Sequence, residues 1–210
     1  MKDIIIVGAS GFGREIVQYI EDINEAHPTW NILGFIDDNP NALEGVEHDY
    51  HIIDSIKGHI PVRNAGYVCA LAFPKTKEFV SKLLKEKGAE FVTIIHPTAR
   101  VSRFAHIGEG CLITPASNVN TDAYLGDFVA VLASGVGHDA RVDDYSTLSG
   151  HVAVNGHVNI GKRVYVGCGA MIAPSKKVGE GATVGMGSVV ISNVKAGTTV
   201  FGNPAKKLNI

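Results

Sequence analysis

Residues 101–190 read VSRFAHIGEGCLITPASNVNTDAYLGDFVAVLASGVGHDARVDDYSTLSGHVAVNGHVNIGKRVYVGCGAMIAPSKKVGEGATVGMGSVV. Val101, Ile107, Ile113, Val119, Leu125 and Val131 fall in steps of six. One step of five leads to Val136, and steps of six resume through Val142, Leu148, Val154, Ile160, Val166, Ile172, Val178, Val184 and Val190. Sixteen consecutive aliphatic hits, in a chain where Ile, Val and Leu fill about a quarter of the positions, exclude chance. Four positions after many of these residues stands a small one (Cys111, Ser117, Ala123, Ala140, Ser146, Ala170, Ala182, Ser188), and Gly often follows the aliphatic directly. This pattern predicts a parallel β-helix, in which each repeat buries its face only by stacking on its neighbours. A sandwich is excluded because its turns do not recur every six residues.

Upstream the period changes. Ile4–Val7, Ile32–Ile36, Tyr67–Ala72 and Phe91–Ile95 read as short buried strands, with helices over 14–24 and 75–87 between them. Gly88 stands where a helix C-terminus needs positive φ. Strands alternating with helices predict a parallel sheet with right-handed crossovers, a half-Rossmann unit over residues 1–95, followed by the β-helix over 96–210.

The composition narrows the function. With 45% hydrophobic residues, 19% charged residues and a net charge of −2, the chain reads as globular and offers no basic surface for nucleic acid. The apolar start, Ile4–Val7, is too short for a signal h-region or a membrane span, so no membrane insertion is expected. Cys69, Cys111 and Cys168 are far apart and odd in number, which excludes a disulfide framework and a CxxC metal pair and makes the cytoplasm the expected compartment.

Beyond the hexads, the chain carries GASGFG (8–13), GFIDDNP (34–40), IIHPTARVS (94–102), GVGHDARV (135–142) and FGNPAKKL (201–208). With these motifs the chain resembles, over nearly its whole length, the hexapeptide-repeat sugar O- and N-acyltransferases of the sialic acid O-acetyltransferase and UDP-4-amino-sugar N-acetyltransferase type. That resemblance implies a left-handed β-helix with three hexapeptides per coil, a homotrimer, and acetyl-CoA as co-substrate.

Read from the residues, the turn at 8–13 joins a strand to a helix, so its N–H groups and the helix N-terminus can hold a phosphate. A tight structural turn is the alternative. Asp37 and Asp38 follow the second strand, where a carboxylate can accept ribose hydroxyls, which would equally suit NAD. The resemblance makes Gly8, Ser10, Gly11, Gly13, Asp37 and Asp38 the binding site of a UDP-linked sugar; Phe12 stands where relatives often carry His. His138 is the candidate general base, since a neutral imidazole suits proton removal near neutral pH, and Asp139 completes the family's H-[DE] pair and would orient it. His138 also follows the only break in the hexad register. One eighteen-residue coil later comes Gly156, whose N–H could stabilise an oxyanion.

By resemblance, Thr147, Cys168, Met186, Pro204 and Lys206 also contact acetyl-CoA. His151 and His157 are six apart, hence on successive faces of a prism, and no metal is expected. His96 is expected at a domain joint. Together these readings predict an acetyl-CoA-dependent N-acetyltransferase acting on a UDP-linked amino sugar. The alternatives are O-acetylation of a sugar such as sialic acid, a catalytically silent nucleotide-sugar-binding trimer, and an NAD-dependent oxidoreductase, for which a β-helix offers no use.

Overall fold

The computed structural model describes residues 1–208. The N-terminal unit comprises β1 (Lys2–Val7), α1 (Gly11–Ala26), β2 (Trp30–Ile36), β3 (Ile52–Asp54), β4 (Gly66–Cys69), α2 (Pro74–Glu86) and β5 (Glu90–Phe91). Its strands are all parallel in the order β3-β2-β1-β4-β5, so the strand order reverses beside β1. Crevices at such switch points bind ligands in α/β sheets. Ile16, Val17 and Ile20 form the buried stripe of α1, as their helical spacing predicts. Helix α2 ends in a Schellman arrangement: Gly88 has φ +98°, its N–H bonds Lys85 O, and the Ala89 N–H bonds Leu84 O.

The structure departs from the sequence reading in two places. β3 is a short, largely exposed edge strand without an apolar alternation to announce it. The run 91–95 is not one strand. Phe91 closes the α/β sheet, and Ile94–Ile95 pairs with Leu112–Ile113 in the next one. Thr93 makes the crossing, its hydroxyl donating to Gly108 O and accepting the Cys111 N–H.

From Ile94 the chain winds as a three-faced parallel solenoid. The first face runs through Ile94–Ile95, Leu112–Ile113, Ala130–Val131, Thr147–Leu148, Tyr165–Val166 and Thr183–Val184. The second contains Arg100–Val101, Asn118–Val119, Gly135–Val136, Ala153–Val154, Met171–Ile172 and Val189–Val190. His106–Ile107, Tyr124–Leu125, Arg141–Val142, Asn159–Ile160 and Lys177–Val178 make the third. The periodic aliphatics form one continuous buried core with the small corner residues among them.

The five-residue step is a shortened corner, Leu132–Ser134, between the first and second faces. There partners are seventeen residues apart, as in Asn118 with Gly135, rather than eighteen. The buried Ser134 side chain braces this corner: its hydroxyl contacts Leu132 O at 2.8 Å and Ser149 O at 2.6 Å and accepts the Val152 N–H at 2.9 Å.

The α/β unit is docked on the first face. Leu112 and Ala130 pack with Ile4, Ile16 and Phe35, while Phe128 meets Phe91 edge-on and stacks on Tyr145. Polar ties cross the same contact. His96, at its joint, bonds Asp22 at 2.8 Å, and Arg163 grips both Glu78 oxygens at 3.1 Å. Lys77 is fully buried and donates to Ser146 O and Thr147 Oγ1, and burial pushes its ammonium down to about 8. Burial also raises the Cys69 and Cys111 thiols to about 11, which makes both inert. Among the described residues no helix is long and apolar enough to cross a membrane.

Candidate active site

The corner between the second and third faces brings His138, Asp139, Gly156 and His157 together. Successive coils stack Thr121, His138, Gly156 and Pro174 in one row, and Asp122, Asp139, His157 and Ser175 in the next. Asp139 and His157 both hold left-handed backbone, φ 57° and 59°, as Asp122 and Ser175 do. This conformation belongs to the corner itself. The register break that precedes His138 in the sequence lies on the preceding edge, not at this corner.

Gly137 lets the next coil approach, and Gly156 makes room for the imidazole. A Cβ at Gly137 would lie 2.7 Å from the Gly156 nitrogen, and a Cβ at Gly156 would lie 2.7 Å from His138 Cε1 and Nε2. The ring edge therefore rests on the bare Cα of Gly156. His138 Nδ1 is 2.8 Å from Asp139 Oδ2. Since a carboxylate only accepts, Nδ1 carries the proton, and the Nε2 lone pair faces the groove. The Gly156 N–H enters none of the backbone hydrogen bonds of the corner. His138 lines two adjoining grooves, one of about 530 Å³ with Asn118, Asn155, Gly156 and His157, the other of about 430 Å³ with Arg100, Asn120 and Thr121. The arrangement can take a proton at Nε2 and offer an N–H donor beside it, which are the requirements of acyl transfer.

His157 stands beside the His138–Asp139 pair, a contact that the sequence reading did not draw. Its Nε2 is 3.9 Å from Asp139 Oδ2, and its ring meets that of His138 edge-on at 5.1 Å. The signal was available, because His157 follows Asp139 by one eighteen-residue coil. The six-residue comparison with His151 instead put it on another face.

Other candidates lie elsewhere. Thr147 is fully buried against the α/β unit, its hydroxyl donating to Ala72 O and accepting from Lys77, so it is no surface contact for acetyl-CoA. Cys168 and Met186 are exposed on the edge between the first and second faces. Pro204 and Lys206 sit at the upper end of that edge, where the Ala205 N–H bonds Val189 O. Within one chain the width of the second face separates this group from His138.

At the switch point, Gly8 and Gly13 serve packing. Gly8 has φ +103°, and a Cβ on Gly13 would fall 1.9 Å from Gly8 O. Asp37 accepts the Ala9 and Asn39 N–H groups at 2.8 Å each, knitting the turn to β2. Ser10 and Gly11 remain exposed at the N-terminus of α1, whose first turn holds no acidic residue, and Asp38 is partly exposed beside Lys57. That helix end suits an anion.

Residues 3–84 match the family described as the PglD N-terminal domain. The GDP-perosamine N-acetyltransferase of Escherichia coli O157:H7 is 33% identical over 97% of this chain and 95% of its own. The UDP-N-acetylbacillosamine N-acetyltransferase of Bacillus subtilis strain 168 is 29% identical over 54% of this chain and 51% of its own. Among solved structures, the acetyltransferase domain of PglB from Neisseria gonorrhoeae FA1090 in complex with acetyl coenzyme A superposes with a TM-score of 0.88 at 26% identity, covering 99% of each chain.

Proposed function

The chain belongs to the PglD-type hexapeptide-repeat sugar N-acetyltransferases, which are acetyl-CoA-dependent enzymes of nucleotide-linked amino sugars, and from that premise we propose that His138 is the general base of the transfer. The observation that carries this reading is the Asp139–His138–Gly156 geometry, in which a tautomer-fixed Nε2 faces the groove beside an uncommitted N–H. Acetyl-CoA supplies the activated acyl carbon. His138 Nε2 takes the proton that the sugar amine loses as its nitrogen bonds that carbon. Asp139 holds the resulting imidazolium, and the Gly156 N–H faces the oxygen that gains charge. As the carbon–sulfur bond breaks, His138 returns the proton to the departing thiolate, so the products are an amide and a thiol.

The sugar nucleotide is assigned to the switch point, its phosphates to Ser10, Gly11 and the α1 N-terminus, with Asp38 on the ribose. Asp37, Gly8 and Gly13 shape that turn. The sequence resemblance favours a UDP-linked sugar. A GDP-linked sugar is the second reading, because the relative spanning the whole chain acts on GDP-perosamine.

The same reading includes a homotrimer, which the sequence resemblance implies and the separation of the groups within one chain supports. In a three-faced prism, the edge bearing His138 lies opposite the face that carries the α/β unit, and Cys168, Met186, Pro204 and Lys206 lie on a third feature, the remaining edge of the second face. A cyclic arrangement sets unlike edges of neighbouring copies together, so it can unite groups that one chain keeps apart.

Incubation with acetyl-CoA and a panel of UDP- and GDP-linked amino sugars, with thiol release followed, tests the activity. Turnover of one class with an amide product supports the reading. Thiol release with no sugar of either class, or with an ester product, contradicts it.

A further inference from the structure

We propose that His138, Asp139 and His157 form a binding site for an imidazole-preferring divalent ion, with Zn²⁺ as its probe, and that the ion switches the base off. A ring nitrogen of His138, a carboxylate oxygen of Asp139 and a ring nitrogen of His157 all lie within 4.8 Å of one another. A tetrahedral ion at ordinary Zn–N and Zn–O distances spaces its ligands about 3.3 Å apart. The observed separations, 2.8 Å between Nδ1 and Oδ2 and 3.9 Å between Oδ2 and His157 Nε2, bracket that value. The three side chains are exposed, so they can adjust to the ion, while their backbone is fixed by stacking of the coils. The His157 N–H bonds His138 O at 3.0 Å, and both left-handed corner residues sit in register. The adjoining groove leaves the fourth position to water.

The consequence for the base follows from tautomer chemistry. A neutral imidazole holds one proton. When the ion takes the Nδ1 lone pair, that proton must reside on Nε2, and Nε2 then donates instead of accepting. No bond to carbon changes and nothing is oxidised: the ion exchanges water for protein ligands, and one proton moves from Nδ1 to Nε2. Two nitrogen ligands and one oxygen select Zn²⁺ over Mg²⁺, which demands oxygen donors.

The inhibitory half of the proposal rests on His138 as base, whereas the binding half does not. Calorimetric titration of the intact protein with Zn²⁺ is expected to give one ion per chain. His157→Gln should weaken it by about 10-fold or more, on the scale by which lost metal-site contacts act, and His151→Gln, on the other edge, should leave it unchanged. Zn²⁺ should raise the melting temperature of wild type and of His151→Gln but not of His157→Gln. With an accepted sugar, Zn²⁺ should abolish amide formation followed by mass spectrometry, a chelator should restore it, and Mg²⁺ should have no effect. Absence of binding, equal affinity in His157→Gln, or loss in His151→Gln overturns the site. Binding at the site with undiminished turnover overturns the switch. A protein that takes Zn²⁺ as expected yet acetylates no nucleotide sugar refutes the catalytic reading and leaves the metal site standing.

Discussion

At the scale of single residues, the contact between Gly156 and His138 is a tight constraint on the imidazole. A side chain at Gly156 meets the imidazole itself, at 2.7 Å. Gly156→Val should therefore turn the exposed ring away and lower kcat by roughly 10²-fold or more, the worth of a positioned base, with the melting temperature close to wild type. A variant that keeps its rate would remove Gly156 from the site. Asp139→Asn should cost less than loss of the ring, since an amide oxygen can still accept the Nδ1 proton when the side chain is suitably turned. His138 and Asp139 were singled out by the H-[DE] pair, and the stacking of Gly156 on His138 was legible because the hexads fix which residues lie one coil apart. His157 follows from the same rule applied to Asp139. Thr147 was misread because alignment to relatives carries no information on burial, and its hydroxyl serves the contact between units.

At the scale of elements, the shortened corner and helix α2 each hold a buried polar group whose loss is measurable. Ser134→Ala strips the hydroxyl that meets two carbonyls and one N–H, and should cost about 1–3 kcal/mol, read as a lower melting temperature. An unchanged melting temperature would show that the corner closes without it. Lys77 gives a pH signature. Its folded value near 8 lies below the value of about 10.4 that an unfolded lysine keeps, so between those limits the unfolded chain holds more protons. Stability contributed by this position must then rise with pH across the window, by on the order of 3 kcal/mol, and Lys77→Met should flatten the climb. A melting profile with the same slope in both proteins would contradict the buried ammonium. The hexad strands were readable residue by residue, since one inward aliphatic per six has no other use. β3 and the split at Thr93 were not, because an exposed three-residue edge strand has no apolar pattern and a continuous apolar run does not show where it changes sheets.

At the scale of the whole molecule, the two periods in the sequence announced the two units, and nothing in a periodicity says how they sit on each other. That arrangement depends on Lys77 and Glu78 of α2, which lie far from Thr147 and Arg163 in the chain and meet them only across the first face. The placement of His138 on the edge opposite the α/β unit predicts that copies cooperate. Analytical ultracentrifugation should report a trimer at micromolar concentration, and a monomer there would count against the ring. Co-assembly of His138→Ala with Asp38→Ala chains should recover part of the wild-type rate at limiting sugar, because some sites then pair an intact base with an intact sugar pocket from another copy. Mixed assemblies no more active than the two parents would place base and sugar on the same chain.

The most direct test of the catalytic centre is the steady-state kinetics of His138→Ala on the nucleotide-linked amino sugar that the wild type accepts. Removal of a transition-state interaction should lower kcat by roughly 10²–10⁴-fold while both KM values stay within a few-fold of wild type. A His138→Ala enzyme with wild-type kcat would show that the proton leaves the amine by another route.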